Sequence, residues 1–338
     1  MRLSVCITTR NRASSIGETL ENILSQCPAD VEVVVVDGAS TDGTVAVVSG
    51  IAERYPQLRL ICPNENSGLD ADYDRALLEA RGEYCWIFAD DDLLMPGAVA
   101  RVLEACRTKP LVIVTDASVH NKDFSLVEQE RRMPASGQEL YRGDETEKFF
   151  EDCIWHLTFI GVVIVERSFW MSRERARYYG QEFIHVGVLF QAPIPGEIRV
   201  IREPLVKIRN GVSNWLNRWF EVWMYKWPRL LWSFAWIDEA VRWRIVHPEP
   251  WHDLSRLLGA RASGFYGWRQ FRTLVVPRRA RVTQLLPPLF VVALPRRSAR
   301  YVRGSLTISG DALRRALKSA RGLAGQITSA NWHSALRK

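Results

Sequence analysis

Short apolar runs and amphipathic stretches alternate through the first third of the chain. Leu3 to Thr8 is apolar and ends in the polar Thr8-Thr9-Arg10-Asn11-Arg12, which predicts a strand followed by a loop. Ser14 or Ser15 then caps a predicted helix to about Gln26, with Ile16, Leu20, Ile23 and Leu24 on one face. Val31 to Val36 is a β-branched run with almost no polar interruption, the pattern of a strand covered on both faces in a parallel sheet. The alternation continues with a turn from Asp37 to Gly43, a predicted helix from Thr44 to Tyr55 and a strand from Leu58 to Cys62. A loop, Asn64 to Gly68, leads to a predicted helix from Leu69 to Ala80 and a fourth strand from Tyr84 to Phe88. Pro96 opens another helix, where its missing N–H costs nothing, and Leu111 to Thr115 is a fifth strand.

Strand–helix alternation with short links predicts a doubly wound α/β sheet with right-handed crossovers. Polar residues just past the carboxyl ends of such strands face the ligand crevice. Thr8 to Arg12, Asp37 to Asp42 and Asp90 to Asp92 all fall there. No GxGxxG follows the first strand and no GxxxxGK[ST] occurs, which disfavours dinucleotide oxidoreductases and P-loop ATPases.

Composition sharpens the division of the chain. Residues 1–210 carry 23 basic and 32 acidic side chains, whereas residues 211–338 carry 22 basic and 6 acidic ones. Nine of the thirteen tryptophans lie between Trp215 and Trp268. A boundary at Asn210-Gly211 is expected, with an enzyme domain at 1–210 and a basic, mainly helical extension at 211–338 that meets an anionic surface. The six cysteines form no CxxC pair, so a zinc site is not expected. The N-terminus reads straight into a strand rather than a signal peptide, and no apolar run is long enough for a standard transmembrane helix. Both point to the cytoplasm.

Asp90-Asp91-Asp92 is the densest carboxylate cluster. Three adjacent carboxylates repel one another unless solvated or gathered round a cation, and hard oxygen ligands suit Mg²⁺ or Mn²⁺. Residues i and i+2 project to one side of an extended chain, so Asp90 and Asp92 are expected to share the metal. A solvated acidic turn is the plainer alternative.

Three segments, Ser4-Val5-Cys6-Ile7-Thr8-Thr9-Arg10-Asn11-Arg12, Val33 to Thr44, and Arg81 to Asp92, resemble in order and spacing the signatures of family-2 glycosyltransferases with the GT-A (nucleotide-diphospho-sugar transferase) fold. Tyr178 to Gly187 is similar to bacterial transferases of the abequosyltransferase, O-antigen type. The resemblance implies a nucleotide-diphosphate sugar donor and a divalent cation held by Asp90 and Asp92. Thr8, Arg10 and Arg12 would border the nucleotide, Asp37 would bond the base, and Asp91 would lie near the ribose or sugar. The acidic segment Asn66 to Asp74 falls where the family has a loop near the base, and Asp70 is its expected donor contact. The family's usual Glu-Asp pair for the catalytic base is absent. Glu182 and His185 stand in that region, on one face if helical, and His185 is expected to titrate near neutrality. His156 is expected in the core or acceptor pocket, and the polar stretch His120 to Arg142 as a mobile loop over the acceptor.

In the tail, Trp215, Trp219, Trp223 and Trp227 recur every four residues among Arg218, Lys226 and Arg229, and Leu285 to Leu294 is apolar between Arg278-Arg279-Arg281 and Arg296-Arg297. Tryptophan beside arginine suits the membrane–water interface, so peripheral contact with an anionic inner membrane face is expected. Packing as core, or a contact between two copies of the chain, is the alternative. No nucleic-acid module accompanies the charge, and no nucleic-acid partner is expected. The combined expectation is a metal-dependent, inverting glycosyltransferase acting on a lipid-linked or polysaccharide acceptor. A sugar-phosphate nucleotidyltransferase and a non-catalytic adaptor are the competitors.

Overall fold

A computed structural model of the chain describes residues 2–134, 137–211, 218–278 and 282–300. Two compact units emerge, one of residues 1–213 with 233–241, the other of residues 214–232 with 242–338.

The first unit opens with β1 (Leu3–Thr9), α1 (Ile16–Leu24), β2 (Val31–Asp37), α2 (Thr44–Ala52), β3 (Leu58–Ile61), α3 (Leu69–Glu79) and β4 (Tyr84–Phe88). It continues through β5 (Leu93–Leu94), α4 (Ala98–Ala105), β6 (Val112–His120), β7 (Val127–Gln129), β8 (Leu140–Tyr141) and α5 (Thr146–Cys153). It closes with β9 (Val163–Glu166), α6 (Arg167–Met171), α7 (Ile184–Phe190) and β10 (Ile198–Arg209). Among the described residues these strands form one mixed sheet in the order β3-β2-β1-β4-β9-β6-β10-β5, with β7 on β6 and β8 on β10. β3, β2, β1 and β4 run parallel, as the unbroken apolar runs predict. β9 lies antiparallel between β4 and β6, and β10 runs parallel to β6.

Every residue of β1, β2 and β4 is buried, because helices cover both faces. Glu32 is a polar residue buried within β2, as Asp37 is at its end. It accepts from Ser4 Oγ at 2.6 Å and the Arg81 amide at 2.5 Å, and pairs with Arg59 at 3.2 Å. Burial opposes its charge, but these bonds hold its carboxyl below the ordinary range. Gly82 permits the approach: a Cβ there would lie 2.6 Å from the Ser4 amide nitrogen.

Among its described residues, the stretch from His120 to Arg142 is bonded to the sheet at several points, where a free loop is expected. β7 pairs with β6 and β8 with β10. The buried Asp116 accepts the amides of Arg132 at 3.1 Å and Met133 at 2.9 Å. Segment 233–241 packs with this unit through Phe234 against Phe150 and Phe190, and Trp236 Nε1 donates to the Phe190 carbonyl at 2.7 Å.

The second unit is helical and has its own core of Phe220, Met224, Trp251, Leu257, Leu258, Tyr266, Val291 and Val292, among others. Turns Val222–Lys226 and Phe271–Val275 are π-helical, and each lies just before a proline, Pro228 or Pro277. A wider turn relieves the clash a proline makes with the carbonyl four residues back. The tryptophans expected at a membrane are mostly packed here instead. Trp219 stacks on Phe265 at 4.9 Å, and Trp227 is fully buried. Trp232 Nε1 donates to the Val246 carbonyl, and Arg242 stacks on its ring. An aromatic repeat at helical spacing makes core whenever a partner helix is present to receive it. Trp215, Arg279, Arg281 and the chain beyond Arg300 lie outside the described residues.

Candidate active site

The carboxyl ends of β2, β1 and β4 lie side by side, and their loops are cross-braced. Asn11 and Ala39 hold left-handed backbone at φ +54° and +57°, an unusual state for non-glycine residues. The Asn11 amide donates to Ser40 Oγ at 2.8 Å, and Asn11 Oδ1 accepts the Thr41 amide at 2.8 Å. The Arg12 amide donates to Thr44 Oγ1 at 2.8 Å. Asp42 accepts the amides of Ala13 and Thr44, so the N-terminus of α2 fixes the loop that carries Arg12. Arg10 is exposed on that loop, whereas Thr8 is buried within β1.

Asp37 ends β2 and is buried. Its Oδ2 accepts the Ser40 amide at 2.8 Å, while its buried Oδ1 has no hydrogen-bond partner, an acceptor suited to a base N–H. Beside it, a Cβ on Gly38 would fall 2.8 Å from Asp72 Oδ2 and 3.6 Å from Asn66 Oδ1. Glycine lets the α3 entry close onto the tip of β2. A cavity of about 490 Å³ lies here, lined by Cys62 to Ser67 and Arg75.

Asp70 does not belong to this group, contrary to expectation. Its Oδ2 accepts the Glu182 amide at 2.8 Å and its Oδ1 the Ile184 amide at 3.0 Å. Asp74, one turn on, accepts from Trp170 Nε1 at 2.9 Å and Tyr179 Oη at 2.6 Å and pairs with Arg175 at 2.9 Å. Residues four apart share a helix face, so Asp70 and Asp74 turn together to the 170–184 segment. Asp72 points the other way, to Gly38. That periodicity was the available signal, and it sets Asp72 beside the tip of β2.

The acidic triplet follows β4. Arg12 reaches Asp90 at 3.6 Å and Asp91 at 3.5 Å. Burial, then the charge of Asp91, pushes the Asp90 carboxyl up to about 6 despite Arg12. Burial likewise raises Asp91, and raises Asp92 strongly. Asp92 Oδ1 accepts the Arg209 amide at 2.8 Å, and its buried Oδ2 has no partner. Among the described residues no three His, Cys, Asp or Glu side chains converge as a ready metal cage. A divalent ion completed by water and phosphate oxygens needs only one or two carboxylates, and the orphaned Asp92 oxygen among under-neutralised neighbours fits such an ion.

The chain's sequence gave no warning of Arg209. At the end of β10, its Nε donates to the Asp91 carbonyl and its Nη1 to the Lys122 carbonyl, both at 2.8 Å. It pairs with Glu18 and lies 4.2 Å from the centre of the Phe124 ring. One side chain thus joins the triplet, α1 and the loop before β7. Only sheet order brings β10 there.

On the acceptor side, the structure separates Glu182 from His185. Glu182 lies before α7 in left-handed backbone at φ +73° and is half-buried. His185 is buried within α7, and its Nε2 lies 2.7 Å from the Leu157 carbonyl. Burial pushes its imidazole down to about 4, so it does not titrate near neutrality as expected. His156 is also core: its Nε2 lies 2.7 Å from the Thr115 carbonyl, and burial with the Arg132 charge pushes it down to about 3.

A mixed sheet of this order, with a carboxylate cluster at the tip of β4 and a buried carboxylate at the tip of β2, is an α/β architecture of the GT-A kind. The sequence model described as Glycosyl transferase family 2 matches residues 4–176, half of the chain. The chain belongs to that family and is a glycosyltransferase. Abequosyltransferase RfbV of Salmonella typhimurium is 27% identical over 222 residues, 62% of this chain and 67% of that one. Succinoglycan biosynthesis protein ExoO of Rhizobium meliloti is 32% identical over 110 residues, 32% of this chain and 31% of its own length. The chain therefore spans about two-thirds of one relative and a third of the other. Among solved structures, S. aureus TarS 1-349 in complex with UDP superposes with a TM-score of 0.51 at 17% identity, covering 97% of this chain and 95% of that one. The likeness is one of fold.

Proposed function

We propose that the chain moves a sugar from a nucleotide-diphosphate donor to a hydroxyl of a lipid-linked or polysaccharide acceptor, in cell-surface polysaccharide assembly of the O-antigen type at the inner membrane face. The observation that carries this is Arg12 held against Asp90 and Asp91 beside a buried Asp92 with an unpartnered oxygen. The names abequosyltransferase and succinoglycan biosynthesis protein support the acceptor class, and UDP in the TarS structure supports a nucleoside diphosphate.

In this reading Asp37 and Asp72 receive the base, Thr8, Arg10 and Arg12 border the nucleotide, and Asp91 lies near the ribose or sugar. Asp90 and Asp92 would hold Mn²⁺ or Mg²⁺, which when bound neutralises charge on the diphosphate. Arg12 adds fixed positive charge on the same side. Glu182 is the base we assign, because it is half-exposed while His185 is buried and too acidic. Glu182 takes the acceptor hydroxyl proton as that oxygen bonds the anomeric carbon. The bond from that carbon to the diphosphate oxygen breaks, the leaving group keeps the electron pair, and the configuration inverts.

Glu182→Gln is expected to lower kcat by about 10²–10⁴-fold with donor affinity unchanged, measured by single-turnover transfer and calorimetric donor titration. A thermal-shift panel of UDP-, GDP-, CDP- and TDP-sugars with Mn²⁺ identifies the donor. Stabilisation by none of them overturns the donor assignment.

A further inference from the structure

We infer that the helix Leu286–Ala293 is an interfacial anchor, and that its outer face of Leu286, Leu289 and Phe290 enters an anionic lipid surface. The inference rests on the membrane-face part of the proposed function and names the surface responsible, which is not the tryptophan repeat.

All eight residues of this helix, Leu-Pro-Pro-Leu-Phe-Val-Val-Ala, are apolar. Pro288, Val291 and Val292 face the core of the helical unit. The opposite side is just as apolar but open: Leu286 is 64% exposed, Leu289 39% and Phe290 62%. Residues i, i+3 and i+4 form one stripe, so these three are a single face. The helix is also fixed in place. Tyr266 Oη donates to the Pro288 carbonyl at 3.0 Å, and Arg261 Nε to the Leu294 carbonyl at 2.9 Å. Other large apolar side chains of the unit are exposed singly, Trp243, Leu254 and Trp268 among them, but an apolar stripe pinned outward along one helix marks a contact surface.

Charge selects the occupant. From Leu254 to Arg300 the chain carries ten arginines and no acidic residue or lysine. Arg296, Arg297 and Arg300, just past the helix, are exposed. A second copy of this surface would meet like charge. The chain's own residues 301–338 carry seven basic residues and one acidic one, so they are not complementary either. Nucleic acid matches the arginines and could stack on Phe290, but it leaves Leu286 and Leu289 on the same face without a partner. An anionic lipid surface matches both, with headgroups for the arginines and the acyl boundary for the stripe. Eight residues rise only about 12 Å, so the helix lies in the interface. Among the described residues no helix is long and apolar enough to cross a membrane.

The test is flotation of the full chain with vesicles of phosphatidylcholine, with and without phosphatidylglycerol. Binding is expected only to the anionic vesicles and is expected to weaken with salt. The triple variant Leu286→Ser, Leu289→Ser, Phe290→Ser is expected to partition about 100-fold less or weaker still, with an unchanged thermal midpoint, because its sites are already solvent-facing. Arg296→Gln with Arg297→Gln is expected to lose the preference for anionic lipid. Equal flotation of the triple variant and the parent overturns the inference, as does no flotation of the parent. Retention of the parent on double-stranded DNA in place of vesicles also overturns it. So does binding that appears only when the chain is cut after Arg300, which would mean residues 301–338 cover the stripe. None of these readouts involves sugar transfer, so lipid binding and the transferase mechanism fail separately.

Discussion

Asp92 shows how a single residue trades stability for chemistry. Burial raises its carboxyl strongly, so the fold resists the ionised form that cation binding would require. Asp92→Asn keeps an oxygen for the Arg209 amide and removes that charge. The variant is expected to melt higher than the parent while metal-stimulated transfer falls by about 100-fold or more, checked by calorimetry and initial rates. Cys62 offers a chemical probe of the same cleft. Among the described cysteines it alone is exposed, and it lines the cavity formed by residues 62–67 and Arg75, where the proposed function seats the base. Thiol alkylation is expected to be confined largely to Cys62 and slowed several-fold by saturating donor, read by mass spectrometry; equal rates would place the base elsewhere. The sequence marks both residue types but not their surroundings: burial makes the Asp92 charge costly, and exposure makes the Cys62 thiol accessible.

At the scale of elements, α3 distributes its carboxylates by periodicity. Asp70 and Asp74 brace the 170–184 segment, and Asp72 turns to Gly38. Asp74→Ala takes the shared acceptor from a half-buried guanidinium, a buried indole N–H and an exposed phenol, and is expected to cost about 1–3 kcal/mol in urea unfolding. Asp72→Asn is expected to leave stability nearly unchanged and raise donor KM. The two results together separate the structural face of α3 from its donor face. The elements themselves were legible: β1 to β4 and the helices between them fall within a few residues of the hydrophobic pattern, because buried parallel strands permit little else. Glu182 and His185 were not legible as a pair. Their spacing suits one helical face, but α7 begins only at Ile184, since Asp70 captures the backbone just before it.

For the whole molecule, the response to acid combines two groups of opposite sign. His185 sits at about 4 and His156 at about 3, against about 6.5 for an exposed imidazole. Between pH 6.5 and 4 the unfolded chain binds imidazole protons that the folded chain refuses, whereas the raised carboxyls of Asp90 to Asp92 bind protons more readily when folded. The histidine contribution is full above pH 6.5 and falls as pH drops through that window, by about 3 kcal/mol for His185 alone at pH 4, and the carboxyls offset part of it. His185→Gln is expected to flatten this acid limb in urea unfolding measured from pH 7 to 4. A slope identical to the parent's would show that His185 is not the group responsible. What the sequence by itself determined is the doubly wound core, the three polar strand ends and the change of character near residue 210, because strand burial and charge are written locally. The tertiary structure alone decided that Arg209 meets the triplet, that Asp70 turns to the 170–184 segment, that residues 233–241 return to the first unit, and that Trp227 and Trp251 are core while Leu286, Leu289 and Phe290 stay outside. Each depends on which distant segment arrives as a neighbour, and a periodic pattern states that a face will be covered without stating by what.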